Sequence, residues 1–186
     1  MARAIQETAA QAQAGEQSRE GKYLTFHLGQ EEFGIGILKV REIIGLMPFT
    51  PIPRTPDFIK GVINLRGKVI PVVDLRLKFG MEPESYSERT CIVVVQIQAG
   101  QDQTSMGMVV DAVNEVANVK QEEVEPTPSF GVSLDTAYIL GLAKSGGQVR
   151  ILLDIDRVLG AEEMAFIRQP ADQGRTDDGQ GLMNAF

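Results

Sequence analysis

The chain contains one cysteine (Cys91), one histidine (His27) and no tryptophan. A lone thiol cannot form a disulfide framework within the chain. One imidazole and one thiol together cannot supply a Cys/His zinc site, a His-based metal cluster or a Ser-His-Asp triad. Bases are also scarce, with 18 Lys and Arg against 25 Asp and Glu, a net charge of −7 over 186 residues. That balance disfavours wrapping nucleic acid or lying on an anionic membrane; an RNA-binding small barrel is an alternative that would need basic residues interleaved with exposed aromatics. No apolar run approaches the roughly 18 to 20 residues that span a bilayer. Met1-Ala2-Arg3, followed by Ala, Gln and Glu, has no hydrophobic signal core, so a cytoplasmic location without membrane insertion is expected. Phe33-Gly34-Ile35-Gly36 has close glycines but neither the Lys-Ser/Thr of a phosphate loop nor the third glycine of a dinucleotide site.

What is present is 43% hydrophobic residues, concentrated in the 146 residues from Lys22 to Ile167, enough for a sizeable core. Residues 1–21 are rich in Ala and Gln, and residues 168–186 in Gly, Asp and Gln; both read as flexible tails. Within the core the apolar residues fall in short β-branched runs separated by Gly, Pro, Asn and Asp, as in Tyr23–Leu28, Val69–Val73, Ile92–Val95 and Ile151–Leu153. This is a strand pattern and predicts a mostly β protein. Helical signals are brief. Asp74 and Asp156 are each placed to cap a turn, and Glu162-Glu163-Met164 opens a short helix over 161–167 with acids in its first turn.

The sequence also resembles itself. An offset of 73 places Phe33-Gly34-Ile35 on Met106-Gly107-Met108, Val40 on Val113 and Glu42 on Glu115. An offset of 80 places Ile59, Gly61, Gly67, Val69 and Asp74 on Ile139, Gly141, Gly147, Val149 and Asp154, which implies an insertion around Pro126 to Asp135. We expect two copies of one β unit, at 22–88 and 89–160, each of about five short strands closed into a small barrel and packed on the other.

Duplication separates residues the fold needs from residues free for other work. Gly61/Gly141 and Gly67/Gly147 are shared, as suits bulge and hairpin positions. Asp74/Asp154 are shared and read as strand-end caps; a small hydrolase built on Asp74, Asp154 and Glu115 is the enzyme alternative. Arg66 differs, because its counterpart is Gly146. It is either a solvated turn residue or a protruding guanidinium offered to a partner carboxylate. Glu42, matched by Glu115, reads from spacing as the polar face of a strand. Cys91 opens a strand and reads as a small hydrophobe. His27, on an alternating strand with no acidic or thiol cluster around it, reads as a half-exposed strand residue.

The stretch Phe58-Ile59-Lys60-Gly61-Val62-Ile63-Asn64-Leu65-Arg66-Gly67-Lys68-Val69-Ile70-Pro71-Val72-Val73-Asp74-Leu75-Arg76 closely resembles the signature of the CheW family of bacterial chemotaxis coupling proteins. So do Glu32–Ile35 with Ile37–Ile44, Met108–Val113, Tyr138–Leu142 and Glu162–Met164, in order and across the whole core. The resemblance implies two packed five-stranded SH3-like barrels and a scaffold without catalytic residues, metal or cofactor. It implies that the chain links chemoreceptor cytoplasmic tips to the histidine kinase CheA, whose regulatory domain shares the fold, in arrays containing further CheW copies and recruited to the membrane by the receptors. In the family the receptor's helical hairpin docks in an apolar groove near the barrel junction. Carried over by motif position, Ile37, Val40, Ile43 and Cys91 line that groove, Glu42 and Arg66 supply polar contacts, and Gly107 and Val113 on the second barrel meet the kinase. The alternative is a CheW-like adaptor for another receptor and kinase system. The net charge divides unevenly, +1 over 22–88 and −6 over 89–167, which suggests a polarised scaffold.

Overall fold

The computed structural model describes residues 18–128 and 136–168. Tail residues 1–17 and 169–186, and 129–135 of the expected insertion, lie outside the described residues. Two antiparallel-rich sheets dominate. One has six strands in the order β8-β1-β2-β11-β10-β9, from β1 (Gly21–Leu28), β2 (Glu31–Gly36), β8 (Ala112–Val119), β9 (Val124–Glu125), β10 (Ile139–Ser145) and β11 (Gln148–Leu153). The other has five strands in the order β3-β6-β7-β5-β4, from β3 (Val40–Gly45), β4 (Ile59–Leu65), β5 (Lys68–Asp74), β6 (Cys91–Ala99) and β7 (Asp102–Val110). The helices are short: α1 (Leu75–Lys78) follows β5, and α2 (Ala161–Arg168) ends the described chain.

The duplication is visible in the pairing. In the β4–β5 hairpin Ile59 pairs with Val73, an irregularity follows, and Gly61 pairs with Val72; in the β10–β11 hairpin Ile139 pairs with Leu153 and Gly141 with Leu152. Asp74 N donates to Phe58 O at 2.7 Å and Asp154 N to Tyr138 O at 2.8 Å. The expected barrel boundary at 88/89 is nevertheless wrong. The first hairpin of each copy pairs with the remainder of the other: β1–β2 joins β8 through β11, and β6–β7 joins β3 through β5. Each junction contains one parallel pair, β2 with β11 and β5 with β7. The hairpins of the two copies have matching alternation, so each satisfies the other copy's sheet as well as its own.

Three apolar cores result. Ile63, Ile70, Val72, Ile92, Val94 and Val109 fill the curl of the five-stranded sheet. Tyr23, Val119, Ala143 and Leu152 fill that of the six-stranded sheet. The largest cluster joins the two. It takes Leu24, Phe26, Phe33 and Ile35 from one sheet, Val93, Val95, Met106 and Met108 from the other, and Met164 and Ile167 from α2. At roughly 1.5 to 3 kcal/mol for each large aliphatic or aromatic side chain removed from water, this shared core binds the barrels into one body.

Two further expectations change. The last residues assigned to the N-terminal tail are tied down: Arg19 N donates to Gln121 Oε1 at 2.8 Å, Tyr23 Oη donates to Arg19 O at 2.8 Å, and β1 starts at Gly21. Asp74 does cap α1, accepting from Leu77 N at 3.3 Å, but after β11 the capping residue is Asp154, which accepts from Asp156 N at 3.1 Å. Asp156 instead accepts from Lys39 Nζ at 2.6 Å and Gln98 N at 2.8 Å, pinning β3's approach to β6.

Candidate functional site

The site is built on β3, an edge strand that pairs with β6 alone. It enters from a single 3-10 turn, Ile37–Lys39. Its register slips between Val40, which pairs with Val95, and Glu42, which pairs with Val94, so Arg41 is bulged out. The slip resets the alternation. Val40 and Ile43 share the side of Val95 and Val93, toward the joint core, whereas Glu42 and Ile44 share the side of Val94 and Ile92, toward the five-stranded core.

On the first side lies an apolar seam. Ile37, Val40, Cys91 and Val113 pack half-buried against the joint core, Ile43 is 45% exposed, and the neighbouring Leu38 is 92% exposed. Burial pushes the Cys91 thiol above its ordinary range, partly offset by a hydrogen bond with the Val113 backbone, so the thiol is held un-ionised near neutral pH. That contact places Val113, expected at the kinase surface, beside the predicted receptor groove instead.

On the second side the polar pair forms. Arg66 sits at φ 54° at the β4–β5 turn, followed by Gly67 at φ 83°, and Gly67 N donates to Asn64 Oδ1 at 2.9 Å. Arg66 Nη1 and Nη2 donate to Glu42 Oε1 and Oε2, both at 2.8 Å. These bonds hold the Glu42 carboxyl below the usual range and raise the Arg66 guanidinium. The guanidinium expected to reach for a partner thus folds back onto Glu42. The pair borders an open groove of about 410 Å³ at the mouth of the five-stranded barrel, floored by Leu65, Ile70 and Val94, with Arg41, Lys68, Gln96 and Ser105 around it.

The eight expected site residues therefore divide. Ile37, Val40, Ile43 and Cys91 fall on the seam with Val113, and Glu42 and Arg66 meet across the strand from it. Gly107 is buried between β5 and β6, where a Cβ would stand 2.8 Å from Ile92 Cγ2 and 3.3 Å from Val72 Cγ2. It serves close sheet packing and cannot touch a partner; it also lies in the five-stranded sheet, not in that of Val113. Sequence reasoning missed Leu38 and Arg41, while Lys68 was evident as one of the bases around the β4–β5 hairpin. Leu38 was detectable as an apolar residue just outside the strand, but the exposure of Arg41 depends on a bulge that no spacing announces.

Among the described residues no three His, Cys, Asp or Glu side chains form a metal-binding group, and no helix is long and apolar enough to cross a membrane. An exposed apolar seam on a rigid pair of barrels, flanked by an ion-paired edge, is the equipment of a binding scaffold. Comparison with known proteins gives that class its family. The CheW-like domain model matches residues 22–163. The chemotaxis protein CheW of Klebsiella aerogenes is 46% identical over 146 residues, covering 78% of this chain and 86% of that protein. CheW of Rhizobium meliloti is 34% identical over 140 residues, covering 75% and 88%. The crystal structure of the scaffolding protein TtCheW from Thermoanaerobacter tengcongensis aligns with a TM-score of 0.69 at 35% identity, covering 78% of this chain and 97% of that one. The chain belongs to the CheW family: it is a chemotaxis coupling scaffold of two SH3-like barrels, and not an enzyme.

Proposed function

We propose that the seam of Ile37, Val40, Ile43, Cys91 and Val113 receives the helical hairpin at a chemoreceptor's cytoplasmic tip, and that a barrel end of the same molecule pairs with the regulatory domain of CheA. The observation that carries the reading is the exposed aliphatic edge of β3, with Ile43 and Leu38 continuing the joint core out to solvent. An amphipathic helix laid on such a seam buries its apolar face against a surface already rigid, so little ordering entropy opposes docking. Glu42 and Arg66, on the far side of the same edge strand, fix register and exclude wrong partners. Val69 and Val149, equivalent positions beside the tips of the two matching hairpins, are exposed at 55% and 47% and supply apolar barrel ends for the kinase contact.

In this reading the chain works in the cytoplasm and reaches the membrane through its receptors. It performs no chemistry; it lets receptor conformation and kinase activity share one coupling free energy. The test is co-purification with a receptor tip fragment and CheA, followed by a kinase assay. A ternary complex with receptor-dependent kinase activation is expected. Ile43→Asp, which sets a charge on the exposed seam without entering a core, should abolish receptor binding while leaving thermal unfolding near wild type. Receptor binding by that variant at wild-type affinity would refute the seam assignment.

A further inference from the structure

The two barrels are internal replicas, so each provides a reference for the other. The parallel registers coincide: Val72 pairs with Gly107 as Leu152 pairs with Gly34, which makes Ser105 the equivalent of Glu32 and Ile70 the equivalent of Arg150. By the same offsets Glu42 matches Glu115 and Arg41 matches Asn114. In the six-stranded barrel this position is plugged. Glu32, only 7% exposed, accepts from Asn114 Nδ2 at 2.8 Å and from Arg150 Nε at 3.0 Å, and Arg150 Nη2 reaches Glu115 at 2.9 Å.

In the five-stranded barrel the plug is missing. Ser105 stands where the buried carboxylate would be and Ile70 where its arginine would be, leaving the 410 Å³ groove open. The groove nevertheless carries cations at other positions. Arg41 and Lys68 border the groove and form no ion pair among the described residues, while Glu42 is already engaged by Arg66. The groove thus has cationic donors, Arg41 at the Asn114 position and Lys68 beside it, and lacks a carboxylate to receive them. Because β3 carries the apolar seam on one side and borders this groove on the other, a segment docked along its free edge passes over both.

We propose that a carboxylate side chain of the docked partner protein enters the mouth of the five-stranded barrel, takes the place that Glu32 fills in the other barrel, and is held by Arg41 and Lys68. This rests on the reading that the seam takes a partner helix, and it adds a specificity rule: partners need an acid at the position that overhangs Ser105. Charge supports it, since residues 37–110 carry nine bases and seven acids whereas 18–36 with 111–168 carry seven and thirteen.

The test supplies the missing acid from within. Ser105→Glu should plug the groove and weaken binding of a receptor tip fragment about tenfold, with a shallower dependence on salt, while the neutral Ser105→Gln stays within about threefold of wild type. Arg41→Ala with Lys68→Ala, both exposed, should also weaken binding about tenfold at low salt; Lys22→Ala with Lys144→Ala removes the same charge from the other barrel and should not. Should Ser105→Glu disturb folding, the paired cation variants decide alone. Wild-type affinity in Ser105→Glu, or equal losses in the two charge-matched pairs, would overturn the proposal. Ile43→Asp separates the two readings: if it abolishes binding while the groove variants do not, only the carboxylate site fails, and if it binds as wild type the seam itself is wrong.

Discussion

Gly61 and Gly141 are the same residue in the same hairpin position of the two copies, yet alanine should be far more harmful at the first. Gly61 has φ +123°, a conformation costly to any residue with a Cβ, and a Cβ there would stand 2.1 Å from Thr50 O and 2.9 Å from Pro51 Cα. Those atoms are backbone and cannot rotate away. Thr50 and Val62 exchange two hydrogen bonds, at 2.8 and 2.9 Å, and displacing Thr50 would break both. Backbone strain of about 1 to 3 kcal/mol, with about 0.5 to 1.5 kcal/mol for each of the two hydrogen bonds, gives a loss of about 2 to 6 kcal/mol. At Gly141 the φ is unremarkable, and an added Cβ would lie 2.8 Å from Glu125 O and from Val124 Cγ1. Glu125 O is also backbone, so the two-residue strand β9 must move outward as a unit, at a cost of about 1 to 3 kcal/mol, but no left-handed strain is added. Urea unfolding at neutral pH should show a lower midpoint for Gly61→Ala than for Gly141→Ala at similar slope, and the melting temperature should fall by about 2 to 4 °C for each kcal/mol. Equal losses, or a larger loss at Gly141, would refute the claim that the copies diverge in backbone strain.

At Arg66, replacement by the glycine its counterpart carries relieves a left-handed arginine, so Arg66→Gly should melt no lower than wild type yet bind a receptor fragment several-fold more weakly; a clear drop in melting temperature would show that the Glu42 pair serves stability first. Burial works to raise the Glu32 and Asp111 carboxyls, but bonds from Asn114 and Arg150 to the first, and from Arg76 and Gly29 to the second, outweigh it and hold both below their usual range. Depressed carboxyl values stabilise the fold above the unfolded-state range and lose that contribution on acidification, so the melting temperature should fall as pH drops below about 4.5, less steeply in Glu32→Gln. Melting curves between pH 3 and 7 check this, and a wild-type profile in the variant would refute it. Cys91 should react slowly with a thiol reagent at pH 7, faster as pH rises, and more slowly still with a receptor fragment bound; undiminished labelling in the complex would remove Cys91 from the seam.

Much of this was legible in the sequence. The β-branched runs, the turn glycines and the offsets of 73 and 80 correspond to real strands, real hairpins and a real repeat, because hydrophobic alternation and left-handed turns are local demands. The partnership of those strands was not legible. The Phe33-Gly34-Ile35 and Met106-Gly107-Met108 segments are interchangeable in pattern, so pairing within a copy and pairing across copies predict the same string of residues. The site was half legible for a similar reason. Val40, Glu42 and Ile43 were found, but a bulge at Arg41 decides which of them share a face, and bulges leave no periodic trace. Arg66 was singled out by its difference from Gly146; its capture by Glu42 is a long-range contact across the barrel mouth that turn composition cannot reveal.

The exchange of hairpins also sets a timetable for the growing chain. On the ribosome β1 and β2 emerge first, with Phe26, Leu28, Phe33 and Ile35 already alternating for burial, but their neighbours are β8 and β11: Gly21 waits for Val119 and Ile35 for Leu153. The five-stranded barrel can close once Val110 has emerged from the ribosome, whereas β1 and β2, made before its strands, are among the last to be sealed. Contacts so distant along the chain are slow to form, and an apolar hairpin left waiting invites pairing with a neighbouring nascent chain. A ribosome stalled after Val110 has left the exit tunnel but before β11 has would therefore display a finished barrel with a sticky hairpin ahead of it, and synthesis speed beyond β7 becomes a determinant of yield.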